Sequence, residues 1–139
     1  MPENSLCFVD TNVWLYALIE SEDKAKRKTA RALILQSVPV VSTQVINEVC
    51  VNLLKKTTIS EEGISQLIES FYAKYPVVEI DKIILLAASR LRQRYTLSYW
   101  DSIIVACALA SETATLYTED MQDGLVIEEK LEIVNPFAK

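Results

Sequence analysis

Short apolar runs and stretches of helical periodicity alternate from one end of this 139-residue chain to the other, and nothing else in the sequence restricts its fold as tightly. An apolar run of about five residues suits a strand buried on both faces, and a helix between two such runs carries the chain back to start the next strand in parallel. The alternation predicts an α/β fold with a short, mostly parallel sheet covered by helices on both faces.

Read in order, SLCFV (5–9) is a first buried strand and VWLYALI (13–19) opens a helix. EDKAKRKTARALILQS (22–37) is a polar helix with Ser21 as its N-cap. PVVST (39–43) is a second strand, followed by a helix over QVINEVCVNLLKK (44–56). SEEGISQLIESFYAKY (60–75), capped by Ser60, carries Ile64, Leu67, Ile68, Phe71, Tyr72 and Tyr75 at helical spacing. PVVEI (76–80) is a third strand, and Asp81 caps a helix whose stripe is Ile84, Ala87, Ala88 and Leu91. SYWDSIIVACALA (98–110) is apolar nearly all round past its first turn, as expected of a central helix. ATLYT (114–118) is a fourth strand, EDMQDG (119–124) a turn and KLEIVNPF (130–137) a last short strand. With no repeat and no linker, residues 1–139 are expected to form a single domain.

Composition narrows the chemistry. There is no histidine, which removes Ser-His-Asp and Cys-His nucleophiles and the usual zinc or copper ligands. The two glycines, Gly63 and Gly124, cannot build a phosphate-cradling glycine loop. Cys7, Cys50 and Cys107 each lie in an apolar stretch without a CxxC spacing, and read as buried thiols of a reducing compartment. The N-terminus runs almost directly into the first strand, so no export leader is expected, and no apolar run is long enough to cross a bilayer. A cytoplasmic protein is the expectation. An enzyme built from this alphabet works with carboxylates, and oxygen ligands alone suit hard ions such as magnesium or manganese.

The acids fall where such chemistry is built. Ligands of open parallel sheets gather beyond the carboxyl ends of the strands. Asp10 ends the first strand, Asp120 and Asp123 follow the fourth, Glu48 lies on the polar edge of the helix after the second, and Asp101 is in the first turn of the helix before the fourth. Each also has an ordinary explanation: Asp10 as an N-cap, Glu48 as a solvated helical side chain, Asp101 as part of a capping box with Ser98, Asp120 and Asp123 as turn residues. Those explanations leave unexplained why all five share one side of the sheet. Two carboxylates at ~4 Å repel by about 4 kcal/mol at an effective dielectric near 20, so such a cluster must take up protons or cations. A net charge of −5 argues against a nucleic-acid partner, but neutralising four of these acids would bring it to −1.

FVDTNVWLYA at the start, NEV around Glu48, YWDSIIVACAL around Asp101 and LYTEDMQDG followed by EIVNPF resemble the four motifs of PIN-domain ribonucleases, most closely the VapC-type toxins of prokaryotic toxin-antitoxin pairs. The resemblance spans essentially the whole chain. It implies a three-layer α/β/α sandwich and a metal-dependent endoribonuclease that uses one or two Mg2+ or Mn2+ ions. By the same resemblance Asp10, Glu48, Asp101 and Asp120 are the catalytic and metal-site acids, with Asp123 as a substitute in the fourth position. Thr11, Asn12, Ser102 and Thr118 are then placed to orient carboxylates or contact phosphate. A cognate antitoxin and a homodimer are the implied partners, with the Ile64–Tyr75 helix as one surface for them.

Lys24, Arg27, Lys28 and Arg31 recur on one face of the second helix, either as an RNA phosphate-contacting stripe or as a solvated face on which Glu22 and Asp23 pair with Lys26 and Arg27. Arg90, Arg92 and Arg94 form a second patch open to the same two readings. Trp14, Tyr16 and Trp100 flank the acidic motifs and could stack an unpaired base; packing is the expectation for Trp100, and Trp14 is left open. Two other functions fit the pattern. Asp10 at a strand end could carry an aspartyl-phosphate, although Asn12 stands where a second acid is needed and no lysine closely follows the fourth strand. The fold could also serve as a non-catalytic RNA- or protein-binding module.

Overall fold

The computed structural model describes residues 6–20 and 23–138. The described residues form strands β1 (Leu6–Val9), β2 (Val38–Ser42), β3 (Val77–Val78), β4 (Thr115–Tyr117), β5 (Val126–Ile127) and β6 (Leu131–Val134). Helices α1 (Thr11–Leu18), α2 (Lys24–Gln36), α3 (Thr43–Lys56), α4 (Glu61–Lys74), α5 (Lys82–Arg94) and α6 (Tyr99–Ala110) connect them. The sheet order is β3-β2-β1-β4-β6-β5, parallel except for β5 on β6. β1 lies at its centre, with Phe8 in register with Val40 on one side and Leu116 on the other, and Cys7, Phe8 and Val9 have no exposed surface.

This order positions the site. The chain steps from β1 out to β2 and β3, then returns through α5 and α6 to β4 on the other side of β1. Right-handed crossovers taken in opposite directions put the helices before β3 on one face and α5–α6 on the other, giving the α/β/α layering. The reversal makes the gap between the carboxyl ends of β1 and β4 the topological switch point. Helix α6 is the central helix its composition predicts, with every residue from Ser102 to Ala108 buried.

The helices start on side-chain caps: Asp10, Asp23, Ser42, Ser60, Asp81 and Ser98 each accept a backbone N–H of the helix that follows. Such a cap contributes about 1 kcal/mol. Asp10 and Ser42 also directly follow or end a strand, so sheet and helix join without a loop. The expected cap Ser21 lies outside the described residues, and its role falls to Asp23, whose carboxylate takes the Lys26 N–H at 3.0 Å. The expected third strand shrinks to Val77–Val78, since only these two pair with β2. β5 was not expected. It is two residues long, too short to show alternation, and it pairs antiparallel to β6 through Val126–Glu132 and Ile127–Leu131.

Candidate active site

Asp10 leaves β1 and caps α1, and the two readings of it prove compatible because they use different oxygens. Its Oδ1 accepts the Thr11 N–H at 2.7 Å, while its Oδ2 accepts the Thr118 hydroxyl at 2.8 Å. Thr118 directly follows β4, and the Asp10 N–H reaches Tyr117 O at 3.0 Å, so the two strand ends are locked side by side. The same Thr118 oxygen accepts the Asp120 N–H at 3.1 Å, and Asn12 Nδ2 donates to Asp120 Oδ2 at 2.9 Å. On the other side, Glu48 Oε1 accepts from Thr11 Oγ1 at 3.4 Å and from Gln44 Nε2 at 3.1 Å. Three acids remote in sequence are thereby joined into one web by Thr11, Asn12 and Thr118.

Burial pushes Asp10 from 3.8 up to about 6; the Thr118 and Thr11 hydrogen bonds pull it back, and the charges of Asp120 and Glu48 add to the rise. Burial also raises Asp101, against a Ser98 hydrogen bond, and Asp120 pushes it further. Asp101 shares no hydrogen bond with the other three acids, and the charge of Asp120 bears on it. No three acidic or thiol groups among the described residues already close on one point as a cage. The donors nonetheless suit a hard divalent ion: they are all oxygens, they repel one another, and the side-chain oxygens Asn12 Oδ1 and Gln44 Oε1 beside them are buried without a hydrogen-bond partner.

Two residues expected at the site are engaged elsewhere. Ser102 Oγ donates to Tyr99 O and accepts from Arg92 Nη1, each at 2.6 Å, so it pins α5 to α6 instead of orienting a carboxylate. Asp123 is exposed and accepts the Asn135 N–H at 2.8 Å, stapling the turn to the segment after β6. Gly124, at φ +87°, makes that turn possible.

The cationic stripe survives in part. Lys24, Arg27, Lys28 and Arg31, with Glu20, line a cavity of about 340 Å³, but Arg31 Nε is tied back to Ala17 O at 2.9 Å. Arg92 and Arg94 are committed within the fold, Arg92 to Ser102 and the Tyr99 ring (4.5 Å), Arg94 to Glu128 at 2.7 Å. Trp14 is core: it is 3 % exposed, donates to Val9 O at 3.1 Å and meets Phe71 and Tyr75 edge-on. Trp100, expected to pack, is 63 % exposed because the first turn of α6 stands clear of the core. With Tyr99, Ile103, Ile46, Leu54, Ile68 and Tyr72 it lines an apolar groove of about 770 Å³ between α3, α4 and α6.

One cluster escaped the sequence reading. Lys26 pairs with Glu119 at 2.8 Å, a partner the sequence did not suggest; Glu22, the partner expected for it, lies outside the described residues. Tyr16 Oη donates to the same carboxylate at 2.7 Å, and the hydrogen bonds that Lys26 donates to Glu119 and Tyr16 raise its pKa. The only available signal was the position of Glu119 beside Asp120.

A family model for the PIN domain matches residues 7–122, which include all four acids. No curated protein matches the chain by sequence. Among solved structures, a Klebsiella pneumoniae toxin-antitoxin complex contains a similar chain at 21% identity and TM-score 0.68, over 94% of this chain and 98% of that one. Mycobacterium tuberculosis VapC20, a Sarcin-Ricin loop cleaving toxin, is similar at 17% identity and TM-score 0.64, over 82% and 91%. Rickettsia felis VapBC2, bound to a DNA fragment from its promoter, is similar at 17% identity and TM-score 0.60, over 92% and 96%. At these identities the likeness is one of fold. It agrees with the family match and with the switch-point placement of Asp10, Thr118 and Asp120: this chain belongs to the PIN domain family.

Proposed function

We propose that the chain is a divalent-metal-dependent endoribonuclease and the toxin of a toxin-antitoxin pair. The observation that carries this reading is the web in which Thr11, Asn12 and Thr118 bind Glu48, Asp120 and Asp10 together at the carboxyl ends of β1 and β4. The M. tuberculosis neighbour, a Sarcin-Ricin loop cleaving toxin on the same fold, supports it.

In this reading Asp10, Glu48, Asp101 and Asp120 hold one or two Mg2+ or Mn2+ ions, and Asp120 rather than Asp123 is the fourth acid because Asp123 is taken by Asn135. The ion, when bound, would neutralise the clustered charge, polarise the scissile phosphate and acidify water. The protein's own part is positional and electrostatic. Thr118 and the Thr11 N–H fix both oxygens of Asp10, Asn12 fixes Asp120, and Gln44 with Thr11 fixes Glu48. A carboxylate so held needs no reorganisation as charge develops on the phosphate. Lys24, Arg27 and Lys28 supply phosphate contacts that position RNA, and the apolar groove receives an amphipathic helix of the antitoxin. The aspartyl-phosphate alternative fares poorly, since both Asp10 oxygens are hydrogen-bonded and the residue is 5% exposed.

The test is incubation of purified protein with total RNA, with magnesium and with a chelator, and mapping of the cut sites. Metal-dependent cleavage lost in Asp101→Asn supports the reading. Cleavage indifferent to chelation, or none at all from folded protein, overturns it and leaves a binding module.

A further inference from the structure

Thr118, Glu119 and Asp120 are consecutive, yet their side chains part company. Thr118 and Asp120 enter the acid web, at 2.8 Å to Asp10 and 2.9 Å to Asn12. Glu119 turns the other way, its Oε2 accepting the Lys26 ammonium at 2.8 Å and its Oε1 the Tyr16 hydroxyl at 2.7 Å. Lys26 also donates to Tyr16 Oη at 3.2 Å and lies 4.9 and 5.4 Å from the ring centroids of Tyr16 and Phe137. The two rings meet edge-to-face at 5.1 Å. Tyr16 sits on α1, the helix that also carries Thr11 and Asn12. The clasp therefore ties the segment bearing Asp120 to the helix bearing its hydrogen-bond partner.

Resting on the nuclease reading above, we infer that Lys26 is a positioning residue for Asp120: by holding Glu119 it fixes the Thr118–Asp120 segment against α1, so that the fourth acid can share a divalent cation with Asp10. Lys26 does not belong to the phosphate-contacting stripe of α2. Its ammonium faces inward onto Tyr16 and Glu119, whereas Lys24, Arg27, Lys28 and Arg31 line a different cavity.

An exposed ion pair contributes little, but this one is partly covered, with 32% and 20% of the two side chains exposed, and two rings and a hydroxyl close around it. Charge and geometry also make opposite demands. Removing Lys26 leaves Glu119 uncompensated near the acids, and on charge alone that would tighten cation binding. Loosening Asp120 would weaken it. The sign of the change separates the two roles.

The experiment measures Mn2+ binding to metal-stripped protein by the electron paramagnetic resonance of the free ion, with thermal melting and RNA cleavage kinetics alongside, for wild type, Lys26→Met and Lys26→Arg. Lys26→Met should weaken Mn2+ binding about tenfold, the usual scale for a partner of a metal ligand, and lower kcat rather than raise KM. Lys26→Arg should restore binding to within about twofold, because a guanidinium can pair with Glu119 and stack on both rings. Unchanged or tighter Mn2+ binding in Lys26→Met overturns the inference. So does a higher KM for RNA at unchanged Mn2+ affinity, which would make Lys26 a phosphate contact, and so does a lowered melting temperature as the sole effect. Wild-type protein that binds no Mn2+ defeats the nuclease reading itself, and that result is visible before any variant is compared.

Discussion

Helix α3 sends Glu48 to Thr11 and the acids but Ile46, Cys50 and Leu54 to the apolar groove; helix α6 sets Asp101 in the field of Asp120 but Tyr99, Trp100 and Ile103 along that groove. The two regions share walls and differ in how finished they are. At the acidic rim, Asp10, Glu48 and Asp120 have protein donors and crowd like charges together. In the groove Trp100, Leu54 and Val51 are 63%, 43% and 41% exposed, an apolar surface. Hydrogen bonds hold most of the rim's polar groups within the fold, Asn12 Oδ1 and Gln44 Oε1 excepted, while the groove leaves apolar side chains exposed.

The largest effect expected from this division is on catalysis. Asp10→Asn or Asp101→Asn should lower RNA cleavage by about a thousandfold or more, ~4 kcal/mol of transition-state stabilisation, while helix capture by the groove is kept. Loss of both together would show that rim and groove are one site. Second comes stability. Asp10 has its folded pKa raised from 3.8 to about 6, so the folded state favours the proton, and ionisation destabilises it progressively as pH rises across that interval. Asp10→Asn should therefore stabilise metal-free protein by about 3 kcal/mol at pH 7.5, with the gain gone below about pH 4. Urea unfolding at both pH values measures it, and a pH-independent gain would place the cause outside ionisation.

Leu54→Asp, on the groove alone, should weaken binding of an amphipathic partner helix about 10- to 100-fold by calorimetry, with Mn2+ affinity moving less than about twofold. An equal loss in both assays would erase the contrast. The smallest expected effect sharpens the rim. Thr118→Val removes a hydrogen bond that lowers the Asp10 pKa, so the acid limb of Mn2+ binding should move up by about 0.5–1 pH unit.

The acids at the strand ends were legible in the sequence, and so was one wall of the groove, the Ile64–Tyr75 helix; the wall that α6 adds was not, for a physical reason. Asp10 and Thr118 directly follow β1 and β4, whose carboxyl ends the alternation of elements locates to within a residue, and Asp120 lies two residues further on. Their convergence then follows from the strand order that parallel crossovers allow. Trp100 shows the limit: α6 is apolar nearly all round, so its periodicity marks no face, and only coordinates reveal that its first turn projects clear of the core. Ser102 failed differently, because a hydroxyl one residue from an acid can turn either way, and Arg92 on α5 claimed it. Lys26 and Glu119, 93 residues apart, carry no local signature of their pairing. The four-residue spacing from Glu22 to Lys26 gave no hint of Glu119.

The Thr118 hydroxyl that holds Asp10 arrives 108 residues after it. A ribosome translating this chain makes Asp10 and Glu48 early, yet until Thr118 and Asp120 clear the exit tunnel the nascent polypeptide holds no assembled centre. Any product terminated before Thr118 lacks the hydroxyl that joins the two strand ends, and with it the web around Asp10.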